Sequence, residues 1–161
     1  GYQCATSGMT LACSYRHAVF SDCAYEVDTV VDQDLAKSVF SFDAHEGETI
    51  RLRLWWPVDR TPDLDYSLNT YVYNRTASIL AEVNGPPQVF YPARAPQETS
   101  RWQPGQFYIE ERELNLPYPT ARSNYGIYLV VYFWGDGKRV PAPGVDADDA
   151  LLLRVLRIMA Y

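Results

Sequence analysis

Thr49-Ile50-Arg51-Leu52-Arg53-Leu54-Trp55-Trp56, in one-letter code TIRLRLWW, alternates with a period of two and stops at Pro57. That period is the repeat of a β-strand with one face in a core. Ile50, Leu52, Leu54 and Trp56 are therefore expected to face inward, and Arg51, Arg53 and Trp55 outward. Proline has no backbone donor, so Pro57 closes the strand.

The same pattern continues on both sides. Upstream, KSVFSFDA (37–44) runs into HEGET, a turn centred on Gly47. Downstream, YSLNTYVYN (66–74) puts Tyr66, Leu68, Thr70 and Val72 on one face and Tyr71 and Tyr73 on the other. NRTA turns the chain into SILAEV. NGPPQVFYPARAPQE holds four prolines, which rules out a central strand and predicts a long crossover between two sheets. FYIEERELNLP alternates towards Leu114 and Leu116. YGIYLVVYFW is apolar on both faces, as a central strand is, and after the GDGK turn LLLRVLRIMAY reads as a buried closing strand. Strand signals at intervals of about ten residues, with almost no helical periodicity, predict an all-β, two-sheet antiparallel sandwich of seven or eight strands. It would span residues 38–161, behind a cysteine-bearing extension at residues 1–37.

Composition bounds the function. The chain has 161 residues, a single-domain length, and 47% of them are hydrophobic. The net charge of −6 argues against a nucleic-acid partner. No apolar run of about 18 residues is present to cross a bilayer as a helix. Two lysines stand against twelve arginines, with thirteen tyrosines, a bias that suits recognition surfaces and is also produced by genomic base composition together with β-propensity.

All three cysteines, Cys4, Cys13 and Cys23, fall in the extension. With no signal-like apolar stretch ahead of them, any export signal is expected to lie outside this sequence. Their clustering predicts a disulfide staple in an oxidising compartment, and so an extracytoplasmic protein. Cys13–Cys23 and Cys4–Cys23 are both open pairings. Cys4, nearest the terminus, is the candidate for an unpaired thiol or a link to another chain. Cys4, Cys13, His17 and Cys23 form a poor zinc set, because structural zinc ligands come in close pairs. No metal or other cofactor is expected.

Catalytic signals are weak. His17 and His45 are the only histidines, no G-x-S-x-G elbow occurs, and Glu111 and Glu113 share a strand face that reads as solvated surface beside Glu110. The GVDADDA loop lacks the glycine and closing glutamate of an EF-hand and reads as a hydrated turn. Asn74-Arg75-Thr76 is a glycosylation sequon at a hairpin end. Flat aromatic side chains beside arginine make Arg51, Arg53, Trp55, Tyr71 and Tyr73, together with Trp102, the candidate binding residues. Cross-strand aromatic pairing without a ligand is the simpler alternative.

Six motifs occur in order: Gly47-Glu48 with Ile50 to Trp56; Asp65-Tyr66; Thr99-Ser100-Arg101-Trp102-Gln103-Pro104-Gly105; Leu114-Asn115-Leu116-Pro117; Tyr128 to Tyr132; and Gly137-Lys138-Arg139-Val140-Pro141. Through these, residues 38–158 resemble an immunoglobulin-like β-sandwich domain of bacterial envelope proteins, often appended to multi-spanning glycosyltransferase-type membrane proteins. The resemblance implies an immunoglobulin-like topology, with Trp102 over the sandwich edge and Pro104-Gly105 in a turn, and it brings no catalytic residue. Residues 1–37 depart from it. The function expected is a non-enzymatic structural or interaction module outside the cytoplasm. Its partners would be other protein subunits, including copies of itself in a surface or filamentous assembly. The alternatives are a carbohydrate-binding module, recognising cell-surface glycan, and an accessory domain of a glycosyltransferase-like membrane protein.

Overall fold

A computed structural model describes residues 2–7, 10–15, 41–58, 60–76, 78–140 and 146–159. Ten strands account for most of it: β1 (Tyr2–Ser7), β2 (Thr10–Tyr15), β3 (Ser41–His45), β4 (Thr49–Pro57), β5 (Tyr66–Asn74), β6 (Ser78–Gly85), β7 (Val89–Tyr91), β8 (Phe107–Asn115), β9 (Asn124–Phe133) and β10 (Leu151–Met159). A single 3-10 turn at Thr99–Arg101 is the only helical element among the described residues.

The strands form two five-stranded sheets, ordered β1-β2-β4-β8-β7 and β3-β10-β9-β5-β6. Their inner faces meet in one apolar core, so the protein is an all-β two-sheet sandwich. β4 behaves as its alternation predicts: Ile50, Leu52, Leu54 and Trp56 are all buried. β9, apolar on both faces, is central in its sheet. The proline-rich segment does pass from one sheet to the other, and three of its residues, Val89–Tyr91, pair along the edge of β8 as β7.

Two features depart from an all-antiparallel sandwich. β2 runs parallel to β4, with Cys13 opposite Leu54, and β3 runs parallel to β10, with Asp43 opposite Arg157. The first half of the extension thus adds a hairpin to the sandwich's own sheet. No alternation within a single strand reveals such pairings, because they join segments far apart in the sequence.

The interior also holds a fully buried ion pair. β8 carries Tyr108, Glu110, Arg112 and Leu114 on its inner face, all buried. Glu110 accepts hydrogen bonds from Trp56 Nε1 (3.1 Å), the Gln88 backbone N–H (2.7 Å) and Arg112 Nε (3.3 Å). Arg112 donates onward to the carbonyls of Leu68, Val83, Gly85 and Pro86, at 2.8–3.2 Å. A buried charge costs several kcal/mol unless paired and hydrogen-bonded, and both conditions are met here.

Trp102 lies inside the sandwich rather than over its edge. It is fully buried and stacked on Tyr108 (centroids 4.6 Å apart), and its indole N–H donates to the Pro96 carbonyl. The turn beside it is as expected: Gly105 has φ +80°, and its N–H donates to the Val58 carbonyl at 2.7 Å.

Candidate functional site: a tyrosine-floored recess

The outer face of β5 and β9 carries a concavity. Antiparallel pairing puts Tyr71 directly opposite Tyr128, and Tyr73 opposite Gly126. Tyr71 and Tyr128 stack with centroids 5.5 Å apart, and Tyr73 stands edge-on to Tyr128 at 6.1 Å. Gly126 makes this possible. A Cβ at Gly126 would lie 2.4 Å from Tyr128 Cε2, far inside contact distance, so the Tyr128 ring occupies space a side chain would take. Burial pushes the Tyr71 phenol above its ordinary pKa, with the charge of Arg139 pulling the other way.

One wall is built by the loop before β10. Asp146 Oδ1 accepts from the backbone N–H groups of Asp148 (2.8 Å) and Ala150 (3.0 Å), folding the turn on its own side chain. Arg139 Nη1 donates to the Asp148 carbonyl at 2.6 Å, which ties the guanidinium to the same wall. With Asn69, Arg75, Ile79 and Asp149, these groups line a recess of about 640 Å³. Among the described residues, no three His, Cys, Asp or Glu side chains gather as metal ligands do.

The sequence-predicted binding residues do not form one face. Tyr71 and Tyr73 belong to this recess, while Arg51, Arg53 and Trp55 lie on the outer face of the other sheet. There Trp55 stacks on Phe107 (6.4 Å), Phe107 on Tyr91 (5.3 Å), and the Arg53 guanidinium lies 5.3 Å from the Phe90 ring centre. Arg53 also pairs with Glu111 at 2.8 Å, and Arg51 with Glu113 at 3.8 Å. Trp102 reaches neither face. β4 and β5 are consecutive but belong to different sheets, so the single face expected from adjacency is split in two.

Sequence reading missed Tyr128, Gly126, Arg139 and the aspartates. Tyr128 was legible as the outward partner of Ile127 and Leu129; its pairing with Tyr71 was not. Asn74 closes the β5–β6 hairpin. Its Nδ2 donates to Ser123 Oγ (3.2 Å) and the Asn124 carbonyl (2.8 Å), and its Oδ1 accepts from Thr76 (2.7 and 2.6 Å). The sequon amide therefore already serves as a clamp between strands. In the β1–β2 register Cys4 is opposite Cys13; Cys23 and His17 lie outside the described residues.

No helix among the described residues is long and apolar enough to cross a membrane. No protein-family model matches the chain, and neither does any curated protein.

Proposed function

We propose that this chain is a non-enzymatic, extracytoplasmic interaction module of immunoglobulin-like type, working through the outer faces of its two sheets. One observation carries the reading. Glu110, the one buried carboxylate among the described residues, is saturated by Trp56, Gln88 and Arg112, while aromatic side chains with arginine beside them face outward on both sheets. Catalysis needs acid and base groups that converge on an accessible reacting atom. Recognition needs flat aromatic area and forked donors at the surface, which is the arrangement here.

The clustered cysteines and the six ordered motifs support the compartment and the immunoglobulin-like assignment. The test is to alkylate free thiols in intact cells and then map the cysteines, alongside digestion by an external protease. The reading expects a disulfide and protease access from outside. Three freely alkylated thiols in a protein shielded from external protease would refute it. Self-association through the N-terminal hairpin is the narrower version; a monodisperse monomer in solution, with only monomer on non-reducing electrophoresis, removes it.

A further inference from the structure

We infer that the Tyr71–Tyr73–Tyr128 recess binds an uncharged saccharide. The inference rests on the interaction-module reading and gives one face of it a ligand class. The recess volume, about 640 Å³, lies inside the range of roughly 300–1,000 Å³ typical of small-molecule sites.

Its floor is three phenol rings held against one another. An aromatic ring is electron-rich on its face, and the C–H bonds on the flat side of a pyranose present slight positive charge. Where a ring face opens on the recess, the two surfaces are complementary in sign.

The rim supplies what hydroxyl groups need. A hydroxyl both donates and accepts, a guanidinium only donates, and a carboxylate only accepts. Arg75 and Arg139 stand on the same rim as Asp146, Asp148 and Asp149. Arg139 spends Nη1 on the Asp148 carbonyl, leaving Nε and Nη2 without a partner among the described residues. Vicinal hydroxyls match the spacing of a guanidinium fork or a carboxylate.

The lining carries both signs. An anionic ligand meets three carboxylates beside two guanidinium groups, and a quaternary ammonium, the usual guest of an aromatic cage, meets two guanidinium groups beside three carboxylates. A neutral polyol uses the donors and the acceptors alike and meets no like charge.

Gly126 is the positioning residue. A Cβ there would lie 2.4 Å from Tyr128 Cε2 and 2.9 Å from Leu152 Cδ1, so any side chain shifts one ring of the floor without removing it.

The experiment is calorimetric and NMR titration of the intact chain with neutral gluco-, manno- and galacto-configured oligosaccharides, with oligogalacturonate, chitosan oligomers and tetramethylammonium as charged arms. At least one neutral series should bind, with shifts on tyrosine ring resonances. Tyr71→Ala and Tyr128→Ala should weaken it tenfold or more, and Arg139→Gln and Gly126→Ala several-fold. Trp55→Ala, on the opposite sheet, should leave it unchanged. Should a tyrosine variant fail to fold, Arg139→Gln and Gly126→Ala decide. A blank neutral panel, a charged arm preferred over it, or full affinity in both Arg139→Gln and Gly126→Ala overturns the inference. A blank panel with a disulfide-bonded, protease-accessible protein removes the saccharide and leaves the interaction module standing.

Discussion

Arg112 Nε donates to Glu110 Oε2 at 3.3 Å, on the inner face of one strand, with both side chains sealed from solvent. The pair also binds Trp56 on the neighbouring strand and carbonyls of the opposite sheet, so its loss is felt by both layers.

Arg112→Leu strands Glu110 as a buried unpaired charge and is expected to cost about 3–5 kcal/mol, by the general penalty for breaking buried pairs. Glu110→Gln combined with Arg112→Leu should be less damaging than Arg112→Leu alone, because no charge then remains inside. Urea unfolding measures both. A single-variant loss below about 1 kcal/mol, the scale of an exposed pair, contradicts the assignment.

Trp102→Phe keeps a ring on Tyr108 and removes the donor to the Pro96 carbonyl. Thermal unfolding should show a loss of about 1–3 kcal/mol, the cost of a hydrogen bond lost at a part-buried acceptor plus some lost volume. Saccharide affinity should not change, because Trp102 lies in the core.

Asp43 on β3 pairs with Arg157 on β10, Nε to Oδ1 at 2.7 Å. The hydrogen bond from Arg157 holds the Asp43 carboxyl below its ordinary pKa, with burial opposing. Folding thus favours the charged form. The contribution is present above the unfolded carboxyl value of about 3.9 and is lost as pH falls through the lower folded value. Asp43→Asn should flatten the decline in stability below about pH 4, and added salt should shrink the difference, since the pair is exposed. An unchanged acid limb in the variant would speak against it.

Cys4 and Cys13 are register partners in an antiparallel pair. Such partners have Cα atoms about 4.5 or 5.5 Å apart, and both values fall in the disulfide window of about 4.4–6.8 Å. Peptide mapping of protein from an oxidising compartment should give a Cys4–Cys13 link and a free Cys23. The two thiols would lose two protons and two electrons to a disulfide-donating oxidase. A Cys13–Cys23 or Cys4–Cys23 peptide would refute the pairing.

The local pattern was enough to place β4, β5, β9 and β10. A half-buried strand writes its two faces into alternate residues, as in β4 and β5; a strand buried on both sides shows as an apolar run, as in β9, and a largely apolar run also marks β10. It also contained more than composition suggested. Glu110 and Arg112 share parity with Leu114 and Leu116 in FYIEERELNLP, so their burial was written in the strand, hidden by the habit of assigning charge to solvent. What alternation cannot carry is partnership between strands. Tyr71 meets Tyr128, and Trp55 meets Phe107, only through β5–β9 and β4–β8 pairings between segments far apart in sequence. The recess exists only where those long-range pairings are made, which is why two of its three rings were legible and the site was not.

Arg112 is rooted in β8 yet grips backbone oxygens of Leu68 and Val83 across the interior. Sliding one layer over the other would tear several such bonds at once. Under lateral load the sandwich should therefore resist shear and then yield abruptly, a property of use to anything tethered at a surface that is pulled.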